Sequence, residues 1–317
     1  MATRVLSGLF GGAVRLRNTL YDRGAIAARR LQGPVVSVGN LSVGGSGKTP
    51  FVIYLGELLQ ARGINFDVLS RGYKRQTQGV AMVDPAGLPR DFGDEPLLIA
   101  RRLRVPVVLG EERYAAGAVA EQRFGPHLHL LDDGFQHRQL ARDFDIVLVT
   151  PDDARDHLVP AGRLREPLSA LRRADAVVLT SGAEPTKFPL EGKLVWRVRR
   201  SVAAENVPKL PIAFCGIARP QSFFAQLRKA GVEPAAEVAF PDHYTYKDKD
   251  LRDLQFLAEQ NQAGGFATTE KDAVNLGGYL SALKPLAVVP VKMDLIDAPR
   301  ALDAMLERLK NRGKPAS

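Results

Sequence analysis

Short apolar runs rich in Val, Ile and Leu recur along the chain at residues 34–38, 66–69, 105–109, 128–131, 146–149 and 176–179. Bounded by turn residues, they read as buried strands. Helical patterns lie between several of them, as at 51–62 and 113–123. This alternation predicts an α/β fold with a mostly parallel sheet and helices on both faces. The pattern weakens after Ser181, where Pro185, Pro189 and the basic run Arg197, Arg199, Arg200 predict a boundary or linker. A second group follows, with strands expected at 212–215, 237–240, 265–268 and 287–291 and helices at 221–230, 247–260 and 299–310. Three units are therefore expected: an amphipathic N-terminal region at 1–30, a larger α/β core at 31–205 and a smaller α/β domain at 206–317.

In the first thirty residues, Val5, Leu6, Leu9, Phe10, Ala13, Val14, Leu16 and Leu20 fall at helical steps of three and four. Six arginines accompany one acid, Asp22. No uncharged stretch reaches the ~20 residues that span a bilayer, and Arg15 with Arg17 breaks the apolar region a signal peptide needs. Two readings stay open: a helix packed on its own domain, or one lying in the interface of an anionic membrane.

Lys+Arg total 44 against 35 Asp+Glu, a net charge of +9, which favours anionic partners without choosing among them. Nucleic acid is not expected, because aromatics are only 7% and are not interleaved with the basic residues. A single cysteine, Cys215, allows no internal disulfide and no cysteine-based zinc site, and fits a reducing compartment.

The strongest local signal starts at the first strand, Val35-Val36-Ser37-Val38. It runs through Gly39-Asn40-Leu41 and the turn Ser42-Val43-Gly44-Gly45-Ser46-Gly47 into Lys48-Thr49-Pro50 and the helical run from Phe51. Strand, glycine-rich turn and helix in this order make a phosphate loop. Its amides form an anion nest, and the helix adds its positive end. Lys48 is placed to reach the β- and γ-phosphates of a nucleotide, and the Thr49 hydroxyl to bind Mg²⁺. One departure stands out: Ser42 fills a position where the usual pattern has glycine. Such a loop needs an acid at a neighbouring strand end, and Asp132-Asp133 after 128–131 supplies two, pointing to opposite faces. His127 and His129, at spacing two, read as structural, having no further His or Cys ligands nearby in sequence.

Other polar segments follow strands or open helices. Ser70-Arg71-Gly72-Tyr73-Lys74-Arg75 sits at a strand's carboxyl end, where ligands bind in open sheets, and suits a phosphorylated substrate. Gly93-Asp94-Glu95-Pro96 supplies either a helix cap or a general base. Gly162-Arg163-Leu164-Arg165-Glu166-Pro167 is either a surface loop or a source of an arginine for a transferring phosphoryl group, with Glu166 as a further metal ligand. His243, in Asp242-His243-Tyr244, is either structural or catalytic, and Thr268-Thr269-Glu270-Lys271-Asp272 is undecided.

Together these motifs, with Leu131-Asp132-Asp133-Gly134-Phe135-Gln136-His137, resemble the tetraacyldisaccharide 4′-kinase family over nearly the whole chain and in its order. The resemblance implies a P-loop kinase-like fold and γ-phosphate transfer from ATP to the 4′-hydroxyl of a tetraacylated disaccharide 1-phosphate, the lipid A precursor. It implies peripheral attachment to the cytoplasmic face of the bacterial inner membrane, and a monomer is expected. It implies Asp94 paired with His243 at the acceptor hydroxyl. Lys48 and Arg165 would serve the phosphates, and Thr49, Asp132, Asp133 and Glu166 the metal. Arg71, Gly72, Tyr73 and His137 would serve the substrate. A nucleotide-dependent switch is the competing class, with hydrolysis but no lipid acceptor.

Overall fold

The structure, a computed structural model, describes residues 2–312; position 1 and positions 313–317 of the expected units lie outside it. Helix α1 (Ala2–Asp22) opens the chain. The expected α/β pattern follows: β1 (Val35–Asn40), α2 (Lys48–Ala61), β2 (Phe66–Ser70), β3 (Ala81–Met82), α3 (Pro89–Phe92), α4 (Asp94–Leu103), β4 (Val107–Leu109), α5 (Arg113–Phe124) and β5 (Leu128–Asp132). Next come β6 (Phe144–Val149), β7 (Ala176–Leu179), β8 (Leu194–Val202), β9 (Ile212–Cys215), α6 (Pro220–Lys229) and β10 (Ala236–Ala239). The chain continues through α7 (Asp248–Gln260), β11 (Phe266–Thr269), α8 (Glu270–Leu276), β12 (Leu286–Val289), β13 (Val291–Leu295) and α9 (Ala298–Arg312).

Nine strands form one sheet in the order β13-β8-β7-β6-β1-β5-β2-β4-β3. All neighbours in it are parallel except the edge pairs β13–β8 and β3–β4. Its central strands are buried throughout, as their near-continuous apolar runs require when helices cover both faces. One face packs beneath α2, α4 and α9 through residues such as Phe51, Leu97, Phe144 and Met305. The other covers α5 through Ala116 and Ala120. A second sheet, β10-β9-β11-β12, is fully parallel.

Two expectations change. The basic run read as a linker is strand β8, in which Trp196, Val198 and Val202 point inward while Arg197 and Arg199 face solvent. Its alternation of apolar and basic residues is that of an outer strand with one covered face. The strand expected at 287–291 is two strands separated at Pro290. There the chain leaves the small sheet and returns to the large one, where β13 pairs with β8 and α9 joins the main core. The unit expected at 206–317 therefore gives its last elements to the first sheet.

Helix α1 packs with its sides reversed. The buried stripe is Ser7, Gly11, Val14 and Asn18, while Val5, Leu6, Leu9 and Leu16 are exposed, Leu9 by 68%. Ser7 Oγ donates to the Leu158 carbonyl at 2.9 Å and accepts from the Ala161 amide at 3.0 Å. A Cβ on Gly11 would lie 2.8 Å from Leu158. Polar and small residues, with Val14, hold the helix to the protein, and most of its larger apolar residues are left outside. No helix among the described residues is long and apolar enough to cross a membrane.

Candidate active site

At the carboxyl end of β1, Gly44, Gly45 and Gly47 take φ of 74°, 51° and 86°, in the left-handed region that favours glycine. This lets the loop reverse and deliver α2, whose apolar residues Phe51, Val52, Leu55 and Leu59 are buried. Arg219, just before α6, lies over the turn, with its Cγ 2.8 Å from where a Gly45 Cβ would stand. The Arg163–Glu166 segment packs directly on the loop: the Val43 amide donates to the Arg163 carbonyl at 2.8 Å, and the Arg165 amide to the Leu41 carbonyl at 2.6 Å.

Two aspartates close the strand beside it. Asp133, with φ of 49°, accepts both Arg165 guanidinium nitrogens at 2.8 and 3.0 Å and stands 3.6 Å from Lys48 Nζ. Asn40 Oδ1 accepts from Lys48 at 3.2 Å and also from Arg165. Burial works against the ionised Asp133 carboxylate, yet the Lys48 charge and the Arg165 hydrogen bonds outweigh it and hold its pKa well below the usual range. Asp132 shows the reverse. Its Oδ2 accepts from Ser70 at 3.1 Å, while its buried Oδ1 has no hydrogen-bond partner among the described residues. Burial, then the negative charges of Glu95 and Asp133, push its pKa up to about 7. A buried carboxylate oxygen without a donor, beside the phosphate loop and Thr49, is what a bound cation requires, so these residues fit Mg²⁺.

The cleft above them holds about 800 Å³. Asp94, the first residue of α4, and His243, after β10, meet across it although they are 149 residues apart. His243 Nδ1 donates to the Asp94 carboxylate at 2.8 and 3.0 Å, and Asn275 Nδ2 adds a bond at 3.1 Å. Lys271 Nζ lies 3.2 Å from His243 Nε2 and donates to Asp242 at 3.0 Å and Glu95 at 3.3 Å. An ammonium can only donate, so this contact leaves Nε2 as acceptor and puts the ring proton on Nδ1, facing Asp94. Burial would raise the Asp94 pKa, but the His243 hydrogen bond and the Lys271 charge overcome it and bring it down to about 2. His243 has φ of 60°, and the exposed Tyr73 ring packs edge-on against it with centroids 5.5 Å apart.

The structure brings together most residues expected from sequence. Val43, Gly44, Gly45, Ser46, Gly47, Lys48, Thr49, Arg71, Tyr73, Asp94, Asp132, Asp133, His137, Arg165 and His243 all line the cleft. Ser42 is buried beneath the loop, bridged to Leu164. Gly72, with φ of 68°, supports the Arg71–Tyr73 turn without lining the cleft. Burial, then the charges of Arg113, Arg142 and Arg71, lower the His137 pKa to about 4, and its Nε2 has no partner among the described residues.

Glu166 corrects the expectation of a metal ligand. It is fully buried and turned away from the cleft, accepting Arg173 at 2.9 and 3.0 Å and Asn18 of α1 at 2.7 Å. Burial opposes its ionisation, but Arg173 and Asn18 prevail and lower its pKa. Neighbouring residues on an extended loop point apart, so Arg165 faces Asp133 and Asn40 in the cleft while Glu166 ties down α1. Several residues of the site carried no signal of their own in the sequence reading: Arg113, whose burial lowers its pKa to about 10, and the cleft residues Arg17, Tyr21, Arg200 and Arg219. Lys271 lay in a segment whose polar density was its only signal.

Comparison with known proteins agrees with this geometry. The profile of a family described as tetraacyldisaccharide-1-P 4′-kinase matches residues 1–310. A tetraacyldisaccharide 4′-kinase of Koribacter versatilis is 50% identical, covering 97% of this chain and 98% of its own. One from Aquifex aeolicus is 42% identical, covering 86% and 89%. A crystal structure of the Aquifex aeolicus protein in complex with ATP superposes with a TM-score of 0.79 at 37% identity, covering 96% of this chain and 97% of that one.

Glu166→Gln should lower stability by about 3 kcal/mol, the cost of removing one partner of a buried ion pair, and leave Mg²⁺-dependent nucleotide binding unchanged. Denaturant unfolding and nucleotide titration check this. Intact stability with lost Mg²⁺ dependence would restore Glu166 to the metal site.

Proposed function

The chain belongs to the tetraacyldisaccharide 4′-kinase family, and from that premise we propose how its own residues carry the reaction. It is an ATP-dependent kinase that transfers the γ-phosphate to the 4′-hydroxyl of tetraacyldisaccharide 1-phosphate in lipid A biosynthesis. The observation that carries the assignment of roles is the juxtaposition, in one cleft, of the phosphate loop and the Asp94–His243 pair.

Without nucleotide, Asp133 holds Lys48 and Arg165 together. The γ-phosphate of ATP takes over these cations, and they neutralise charge on its equatorial oxygens as it transfers. Thr49, Asp132 and Asp133 would hold Mg²⁺, which when bound supplies further neutralisation of the β- and γ-phosphates. Asp94 accepts the proton of the attacking 4′-hydroxyl. Its low pKa keeps it ionised, and a weak base suffices because the hydroxyl proton leaves late in a loose transition state. His243 orients the carboxylate through Nδ1–H. A second route, with the proton taken by His243 Nε2, is disfavoured because that lone pair faces the Lys271 ammonium.

The reversed packing of α1 supports peripheral binding at an anionic membrane. Val5, Leu6, Leu9 and Leu16 are free to enter the interface, and α1 carries Arg17 and Tyr21 into the lining of the cleft. The acyl chains would then stay in the bilayer while the sugar reaches the phosphate loop. The basic surface, the reducing compartment and the inner-membrane substrate fit the cytoplasmic face, with the protein acting as a monomer.

With folding intact, Asp94→Ala should cut turnover at least about a hundredfold, scored as bisphosphorylated lipid from labelled ATP, Mg²⁺ and the disaccharide in detergent. Near-normal turnover rejects the base. Below pH about 7 Asp132 is protonated and must lose its proton to hold a cation, so activity should fall as pH drops through 7. Raising Mg²⁺ above its dissociation constant should move that acid limb down by roughly one pH unit per tenfold. An acid limb indifferent to Mg²⁺ would assign it to another group. Finally, Leu6→Ser with Leu9→Ser should keep the unfolding midpoint but weaken binding to phosphatidylglycerol vesicles at least about tenfold. Unchanged vesicle affinity would remove α1 from the membrane.

A further inference from the structure

His127 and His129 contribute nothing to the cleft. They lie at the opposite, amino-terminal end of β5, and Asp67 of β2 comes between them. Asp67 and His129 are completely buried, and the His127 side chain is 15% exposed. Asp67 Oδ2 is 3.0 Å from His127 Nε2, and Asp67 Oδ1 is 2.9 Å from His129 Nδ1. One ligand atom from each of the three residues falls within 4.8 Å of the others. A tetrahedral ion with bonds of about 2.0 Å holds its ligand atoms roughly 3.3 Å apart, so this triangle is already near that size.

The outward ring nitrogens are also provided for. His127 Nδ1 donates to the Gly125 carbonyl at 2.6 Å, because a carbonyl can only accept. His129 Nε2 lies 3.3 Å from Glu121 Oε1, which is fixed in turn by the Gly33 amide at 2.7 Å. Each imidazole thus spends its outward N–H on a backbone carbonyl or a carboxylate, and aims its other nitrogen at Asp67. Histidines that bind metals are oriented in this way. Between two inward lone pairs and a buried carboxylate something positive is required, either protons or one divalent cation.

We propose that Asp67, His127 and His129 bind a divalent transition ion of the zinc class, with Gly125 and Glu121 orienting the two imidazoles. Two nitrogen donors and one oxygen select Zn²⁺ or Co²⁺ over Mg²⁺ or Ca²⁺, which take oxygen ligands. His127, with its side chain 15% exposed, gives the ion a way in. The ion would pin α5 and β5 to β2, one strand-length below Asp132. Its role is structural, separate from the Mg²⁺ of the cleft.

The test uses the full chain, stripped with EDTA, in buffer free of Mg²⁺ and nucleotide. Zn²⁺ is titrated calorimetrically in buffers of different ionisation enthalpy, and Co²⁺ by visible absorption. One equivalent of Zn²⁺ should bind with micromolar or tighter affinity, releasing protons from the inward ring nitrogens. It should raise the melting temperature of the unaltered chain but not of His127→Gln, in which affinity falls at least about tenfold. Should that variant not fold, histidine ¹⁵N spectra of the unaltered chain replace it, since Zn²⁺ must shift two of its five histidines. Absence of binding overturns the site. So does an equivalent that survives His127→Gln, one that is lost in Asp133→Asn, or histidine spectra that Zn²⁺ leaves unmoved.

Discussion

Two adjacent carboxylates at the end of one buried strand cannot both ionise cheaply, and the active site is organised around that constraint. Asp133 is turned by its left-handed backbone onto Lys48 and Arg165, which stabilise its charge. Asp132, on the other side, finds a single hydroxyl donor and is pushed to about 7. The pair is split into an anion that holds Lys48 and Arg165 and a carboxyl that, in the proposed mechanism, would give up its proton for a metal. Both need the phosphate loop where it is. The loop is fixed by the glycines that let it turn and by the Arg163–Glu166 segment hydrogen-bonded against it.

The Asp94–His243 pair, the proposed acceptor end of the cleft, is held by contacts between elements of the two sheets. His243 and Lys271 come from the small sheet, Asp94 and Glu95 from α4 on the large one. The charges interlock: Lys271 serves Asp242, Glu95 and His243 together, and His243 serves Asp94. Glu95 also contributes to raising Asp132, so the acceptor end and the metal end of the cleft share an electrostatic link. A change in the charge of either end is felt at the other.

What the sequence disclosed follows the range of each interaction. The phosphate loop is local: its strand, turn and helix are contiguous, and the chemistry of each glycine and of Lys48 can be argued from neighbours alone. The parallel core was legible for the same reason, since strands buried on both faces carry unbroken apolar runs. Strand β8 was hidden because its outward arginines give a basic run that outweighs an inward period of two. The return of β13 and α9 could not be read, because nothing local at Pro290 says which sheet the next strand will join. The Asp94–His243 pairing came only through family resemblance, and Arg113 lay in an ordinary helical pattern. Glu166 was misread because motif adjacency to Arg165 suggested shared work, whereas consecutive extended residues face opposite ways.

That opposition gives the Arg165–Glu166 dipeptide its place in the whole. One residue faces the cleft and pairs with Asp133; the next faces the interior and holds Arg173 and Asn18. Asn18 lies in the last turns of α1, whose Asp22 is held by Arg138 and Arg172. The helix that exposes its apolar residues is therefore fastened, at its carboxyl end, to the segment that braces the phosphate loop. Under the proposed membrane docking, a lipid entering from the interface would meet Arg17 and Tyr21 first, and the cations of the loop beyond them. Buried ion pairs often add little net stability. What this one fixes is position: it sets the distance between the exposed apolar side of α1 and the phosphate loop, the spacing on which the proposed membrane docking depends.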